Sequence, residues 1–237
     1  MCTVTIVPYE DGFRLVCNRD ERRDRPTALP PTVRRLRHHR AMFPVDPAGG
    51  GTWVGVNGAG LVAALLNRNI EPPAPGRNQS LRSRGLIIPD LLDSGSWSDA
   101  LDLAAGLDPA RFGLFRLVLG QRMAVAVVTS DGLALSVETM PIPRPLMLTS
   151  SSLGDALVEA PRRRLFERLF GDIERDWLRM QTRFHAHQWP VRTDISVNMA
   201  RPDARTVSRT RIDVTSRLVG LCYQPLANNE RRTHRAA

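Results

Sequence analysis

The 237-residue sequence predicts an α+β fold, with helices packed on one large antiparallel sheet or on two such sheets. Three observations predict it. Strand-like runs rich in β-branched residues recur in pairs joined by short turns. Helical runs are grouped between blocks of strands, so the strand–helix alternation of a doubly wound parallel sheet is missing. One long stretch, Arg162 to Gln181, carries Leu165, Phe166, Leu169, Phe170, Ile173, Trp177 and Leu178 at helical spacing.

The elements follow in order. Residues 2–8 are β-branched and read as a strand, Tyr9-Glu10-Asp11-Gly12 supplies turn chemistry, and Phe13 to Asn18 reads as the returning strand. Residues 22–50 carry Arg, Pro and Gly without period and read as an extended loop. Trp53 to Val56 and Leu61 to Leu66 flank the turn Asn57-Gly58-Ala59-Gly60 as a second hairpin, and residues 69–80 form another Pro/Gly/Asn loop. Leu86 to Leu92 reads as a short helix. Ser96-Trp97-Ser98-Asp99 is a helix start leading into Ala100 to Leu107. Phe112 to Leu119, Met123 to Thr129 and Leu133 to Glu138 are strands separated by tight turns, and Thr206 to Tyr223 returns to strand-like alternation. No repeat or linker divides the chain, so residues 1–225 read as one domain and 226–237 as a flexible, Arg-rich tail.

Composition narrows the chemistry. Hydrophobic residues make up 42% and charged residues 24%, ordinary globular usage. No apolar run approaches the ~18 residues of a membrane span, and Glu10 and Asp11 interrupt any signal-peptide core, so a cytoplasmic location is the default. The net charge of +9 does not imply nucleic-acid binding, because all 33 basic residues are Arg, a pattern of codon usage more than of one selected patch. Without Lys there is no Schiff-base lysine, no pyridoxal-phosphate enzyme and no complete Walker A loop. Cys2, Cys17 and Cys222 form no even disulfide framework, and Cys17 and Cys222 read as small core residues. His38-His39 and His185-Ala186-His187 lack a carboxylate or Cys at ligand spacing, so neither a metal site nor a cofactor is expected. Trp53 and Trp177 read as core residues more readily than as cofactor stackers.

Cys2 stands apart. The first hairpin brings it beside Asn18, Arg19, Asp20 and Glu21. If Met1 is removed, the new first residue carries a thiol and an α-amine. With a reference pKa of ~7.7–8.0, that amine can serve as base for its own side chain. Arg19 could lower the thiol pKa, and Asp20 could orient the amine or the guanidinium.

Met1-Cys2-Thr3, Asn18-Arg19-Asp20-Glu21, Gly50-Gly51-Thr52-Trp53, Gly55-Val56-Asn57, Gly60 to Arg68 and Ser83-Arg84-Gly85 together resemble the NRDE family, which includes the transport and Golgi organisation 2 proteins. Asp203 to Ser208 resembles that family's late Gly-Thr-Arg-Ser/Thr segment. More distantly, the chain is similar to the choloylglycine hydrolases, N-terminal-nucleophile enzymes with a four-layered αββα fold of two packed antiparallel sheets. That resemblance implies a small amide substrate, Cys2 as nucleophile and base, Asp20 orienting the amine, and Asn67 donating to the oxyanion. Arg19 and Arg205 would supply positive charge. The hydrolase pattern spaces its Arg and Asp two residues apart, whereas Arg19 and Asp20 are adjacent, so Asn18 and Glu21 stand as alternatives for either role. Asn198 is the candidate for a second, late Asn, and Asn18, Glu21 and Trp53 are the candidates for substrate contact. The NRDE resemblance also implies an alternative on the same fold, a non-catalytic carrier of haem or acyl lipid.

Overall fold

A computed structural model describes residues 2–70, 81–171 and 176–226. Met1, the expected loop beyond residue 70, and the tail from 227 onward lie outside the described residues.

The first hairpin forms as its β-branched residues and turn chemistry dictate. β1 (Cys2–Tyr9) and β2 (Gly12–Arg22) pair antiparallel from Tyr9↔Gly12 to Cys2↔Arg19. Both strands are buried almost throughout, which explains their lack of polar alternation. On its far side β2 pairs antiparallel with β11 (Ala204–Val214), and β11 turns back into β12 (Val219–Pro225), so the alternation seen in the sequence near 206–223 is a hairpin. On its other side β1 pairs with β10 (Leu146–Thr149), completing a five-stranded sheet ordered β10-β1-β2-β11-β12.

The second sheet has seven strands in chain order: β3 (Leu29–Arg35), β4 (Arg40–Val45), β5 (Val54–Asn57), β6 (Val62–Asn67), β7 (Phe115–Gln121), β8 (Ala124–Ser130) and β9 (Leu135–Pro141). All the pairings in both sheets are antiparallel.

The two sheets face each other across a core of Val4, Ile6, Phe13, Leu15, Val54, Leu66, Val118 and Ile212. The outer face of the seven-stranded sheet buries Leu61, Phe115, Leu117 and Leu119 against α1 (Ile87–Leu92) and α2 (Trp97–Ala105). Ser96 caps α2 by accepting from the Asp99 amide at 3.1 Å, as the sequence signature requires. The outer face of the five-stranded sheet buries Val7 and Met147 against α3 (Asp155–Phe170) and α4 (Trp177–Ala186). The layers therefore run α, β, β, α. This is the four-layered arrangement expected, and the alternative of a single sheet is set aside.

Several expectations need correction. Residues 22–50 hold β3 and β4 instead of one loop. β3 is an edge strand, where Pro30 and Pro31 are tolerated because no second neighbour needs their missing N–H, and its ladder is irregular between Leu29 and Thr32. The helix expected over 162–181 is two helices. α3 ends at Phe170, capped by Gly171, and already contains Pro161, α4 starts at Trp177, and residues 172–175, Ile173 among them, lie outside the described residues. Cys222 is exposed on the edge strand β12 rather than in the core, whereas Cys17 is buried.

His185, on α4, is fully buried beneath the five-stranded sheet. Asn18 Nδ2 donates to the His185 and Val197 carbonyls, so Asn18 Oδ1 faces His185 Nδ1 at 3.1 Å and accepts its proton. Thr5 Oγ1 receives Gln181 Nε2 at 2.9 Å and donates its own proton to His185 Nε2 at 2.7 Å. Burial holds the ring's pKa well below the usual histidine value, helped by Arg209 and Arg162, and so keeps it neutral. The folded state resists a proton that the unfolded chain accepts near pH ~6.5, so this contribution is intact above that pH and lost as pH falls below it. Urea denaturation at falling pH is expected to lose up to about 1.4 kcal/mol per pH unit from this group below ~6.5. His185→Gln should flatten that profile, and an unchanged slope in the variant would contradict the assignment.

Candidate active site

The ladder register decides which side chains meet. Cys2 pairs with Arg19, so both point to the face shared with Cys17 and Glu21. Asn18 and Asp20 point the opposite way, toward the helices. Cys2, Arg19 and Glu21 line a cavity of about 590 Å³ together with Trp53, Asn67 and Arg84.

Cys2 begins a strand flanked on both sides. Its backbone N–H donates to Ser150 Oγ at 3.1 Å, and the Ser150 N–H donates to the Cys2 carbonyl at 2.9 Å. Ser150 directly follows β10, a four-residue strand that the sequence reading missed. The clue was the polar run Thr149 to Ser152 after an apolar stretch. Asp155 fixes the surrounding loops: its carboxylate accepts from the Ser151 amide at 2.9 Å and the Asn69 amide at 3.1 Å, and pairs with Arg116 at 3.3 Å.

The Cys2 thiol pKa is lowered, first by a hydrogen bond from the Cys17 thiol, then by the N-terminal positive charge and, less, by Arg19, against burial and the charge of Asp20. The Cys17 pKa moves the other way, well above the usual thiol value, because of its contact with Cys2 and its burial. The Cys17 thiol also lies 3.8 Å from the Asn18 carbonyl, a weaker acceptor than a thiolate. Cys17→Ala is accordingly expected to raise the pH at which Cys2 alkylation reaches half its maximal rate, and an unshifted profile would remove Cys17 from this role.

Arg19 is held from three sides. Its guanidinium stacks over Trp53 at 4.1 Å and lies 3.4 Å from both Glu21 and Asp46. Arg25 shares those carboxylates. Burial would raise the Asp46 pKa, but Arg25 and Arg19 together bring it below the usual value.

Asp20 is buried and accepts from Thr206 Oγ1 at 2.6 Å, across a β-bulge between Thr206 and Ser208. Burial raises its pKa, opposed by Arg162 and by the Thr206 bond. The β1–β2 ladder ends at Cys2↔Arg19, so Asp20 stands just past the start of β1, where the terminus enters the sheet.

Asn67 ends β6, opposite Phe115. Among the described residues its side-chain amide has no hydrogen-bond partner, while it lines the cavity with Cys2. An Asn in that state has two N–H donors to offer a developing oxyanion.

Two expected residues are elsewhere. Asn18 does not line the cavity: it faces the helix layer, and its amide is bonded to His185, Val197 and Arg209. Arg205 does not line the cavity; its guanidinium donates to the Leu226 carbonyl at 2.8 Å. Asn198 is not among the cavity-lining residues either.

Arg84 was missed as a site residue, although Ser83-Arg84-Gly85 stood out in the sequence. The two glycine motifs meet here. A Cβ on Gly51 would lie 2.3 Å from the Gly85 carbonyl carbon, and the Thr52 amide donates to the Gly85 carbonyl at 3.0 Å. Only glycine permits that approach. It clamps the 83–85 segment to the start of β5 and brings Arg84 to the cavity wall.

Comparison with known proteins agrees with this architecture. The family model for Transport and Golgi organisation 2 matches residues 1–179. No curated protein matches the sequence. Among solved structures, the chain is similar to an N-acylethanolamine-hydrolyzing acid amidase ortholog from Caenorhabditis elegans, with TM-score 0.60 and 14% identity over 89% of this chain and 92% of that one. It is also similar to penicillin V acylase from Agrobacterium tumefaciens (TM-score 0.53, 14% identity, 95% and 86% covered). A conjugated bile acid hydrolase from Clostridium perfringens gives TM-score 0.53 and 12% identity, with 94% and 92% covered. The shared fold is that of N-terminal-nucleophile hydrolases. Among the described residues no helix is long and apolar enough to cross a membrane.

Proposed function

The chain belongs to the Transport and Golgi organisation 2 family, and from that membership and the geometry around Cys2 we propose that it is an N-terminal cysteine amidohydrolase cleaving a linear C–N bond of a small substrate. The observation that carries this reading is the position of Cys2: a thiol with a lowered pKa, at the start of a sheet strand, facing a cavity that also holds Arg19 and Asn67.

The chemistry requires Met1 to be removed, so that the Cys2 nitrogen becomes an α-amine. That amine takes the thiol proton, with Ser150 Oγ beside it and Asp20 at the end of the ladder as the balancing carboxylate. The thiolate then attacks the amide carbon. The carbonyl oxygen gains negative charge and receives the Asn67 N–H, a contact commonly worth about 3 kcal/mol in the transition state. Collapse breaks the C–N bond, the leaving amine takes the proton from the Cys2 ammonium, and water cleaves the resulting thioester by the same route in reverse. Arg19 holds positive charge by the sulfur throughout.

Intact mass together with iodoacetamide labelling tests this reading. The expected result is loss of Met1 and faster alkylation of buried Cys2 than of exposed Cys222 at neutral pH, because reactivity follows the thiolate fraction. A protein that retains Met1, or in which Cys222 reacts first, would sink it.

A further inference from the structure

Among the described residues, the charges around the cavity do not balance: five arginines and three carboxylates line it. Arg19 and Arg25 are paired with Glu21 and Asp46, and Arg22 is paired with Asp24 outside it. The third lining carboxylate, Asp203, lies 3.6 Å from Arg201. The surplus falls on Arg82 and Arg84, neither of which meets a carboxylate among the described residues.

These two arginines sit on one short segment, on either side of Ser83. Both line the cavity. Arg82 is anchored by a bridge to Phe112 and lies over that ring at 6.0 Å. Arg84 is half-buried and spends one donor on the Leu114 carbonyl at 2.6 Å. A guanidinium has five N–H donors, so among the described residues the other four are uncommitted. Burial lowers its pKa, and the one charge raising it is that of Cys2, which puts the group within electrostatic reach of the sulfur. A Cβ on Gly113 would lie 3.1 Å from Arg84 Nη1, so the chain leaves room for the guanidinium there. A half-buried cation with no carboxylate partner among the described residues gains from a ligand that supplies one.

We propose that Arg82 and Arg84 form a subsite for an anionic group, a carboxylate or a phosphate, carried by the small molecule that enters this cavity. Trp53, Leu65 and Leu81 line the same space and offer apolar contact to the remainder of that molecule. The subsite deepens the hydrolase reading and rests on it for the identity of the cavity as a substrate site. The clamped 83–85 backbone presents the guanidinium already ordered, which lowers the entropy lost on binding.

The test uses full-length protein carrying Cys2→Ala, so that binding is read without turnover, and calorimetry with three probes of equal acyl length. These are N-hexanoylglycine, N-hexanoyl phosphoethanolamine and the uncharged N-hexanoylglycinamide. The anionic probes are expected to bind at least about tenfold more tightly than the amide, and added salt should weaken the anionic probes alone. Whichever of the two anions binds more tightly identifies the source of the charge. Arg84→Gln should abolish most of the preference, Arg84→Lys should retain part of it, and Arg82→Gln should reduce it. Equal affinity for all three probes, no binding by any, or a folded Arg84→Gln variant that keeps the preference would overturn the subsite. Should Arg84→Gln fail to fold, the probe comparison and Arg82→Gln decide the matter. Turnover of the same probes by the unsubstituted protein separates the two ideas. Anion preference without cleavage leaves the subsite and removes the hydrolase, whereas cleavage without anion preference does the reverse.

Discussion

Cys2→Ala is expected to lower amide turnover by at least about 10³-fold, since removing a covalent nucleophile leaves only binding and oxyanion contacts to act. The loss should appear in kcat, while the affinity for an uncleaved amide stays within a few-fold of the parent. Structure should be preserved. Alanine keeps the backbone bonds to Ser150, and the exchange removes one sulfur from a side chain at the cavity wall. Cys2→Ser is the informative partner, because it keeps a nucleophile with a far higher pKa in the cavity that Asn67 also lines. Its activity should fall between that of the alanine variant and the parent at alkaline pH. Single-turnover assays with an N-acyl amide check both, and a Cys2→Ala protein that still turns over would remove the thiol from the mechanism.

Arg162→Ala should be the most destabilising exchange considered, costing about 3–5 kcal/mol. Arg162 is 1% exposed, the largest of the fully buried side chains. Its Nη1 donates to Thr3 Oγ1 at 2.8 Å and Thr149 Oγ1 at 2.6 Å, its Nε to the Ile195 carbonyl at 3.0 Å, and its Nη2 to the Ser196 carbonyl at 2.7 Å. One side chain thus joins β1, β10 and the segment after α4. Deletion leaves buried acceptors without partners and strips Asp20 of its strongest balancing charge. Arg162→Lys should recover little, because an ammonium cannot span that fork. Urea denaturation measures both variants, and a loss under about 1 kcal/mol for alanine would contradict this account.

Much of the fold was legible because its signals are local. β-Branched runs and turn residues placed the hairpins, and Ser96 with Asp99 placed the start of α2. What escaped depended on partners distant in sequence. β3 and β4 are short, Pro- and Arg-containing, and acquire their structure from β5. β10 is four residues long and exists because β1 offers it a ladder. At the site, a hairpin reading puts Cys2 near Asn18, Arg19 and Asp20, but only the register tells which share its face. A one-residue difference sent Asn18 to the helices and Arg19 to the cavity. Arg84 was hidden because its arrival depends on two glycines, Gly51 and Gly85, meeting across a gap of 34 positions.

The placement of β1 has a consequence for the order of assembly. Cys2 is synthesised well before the residues that hold it: its neighbour Ser150 is 148 positions downstream, and the Thr206 that holds Asp20 is 186 positions from it. Such separations put the reactive centre among the slow, high-contact-order parts of folding. Arg19 and Cys17 reach Cys2 with the first hairpin, whereas Ser150 and the Thr206 that fixes Asp20 arrive only when distant strands pair. On the mechanism proposed above, the site is therefore complete only after those pairings form.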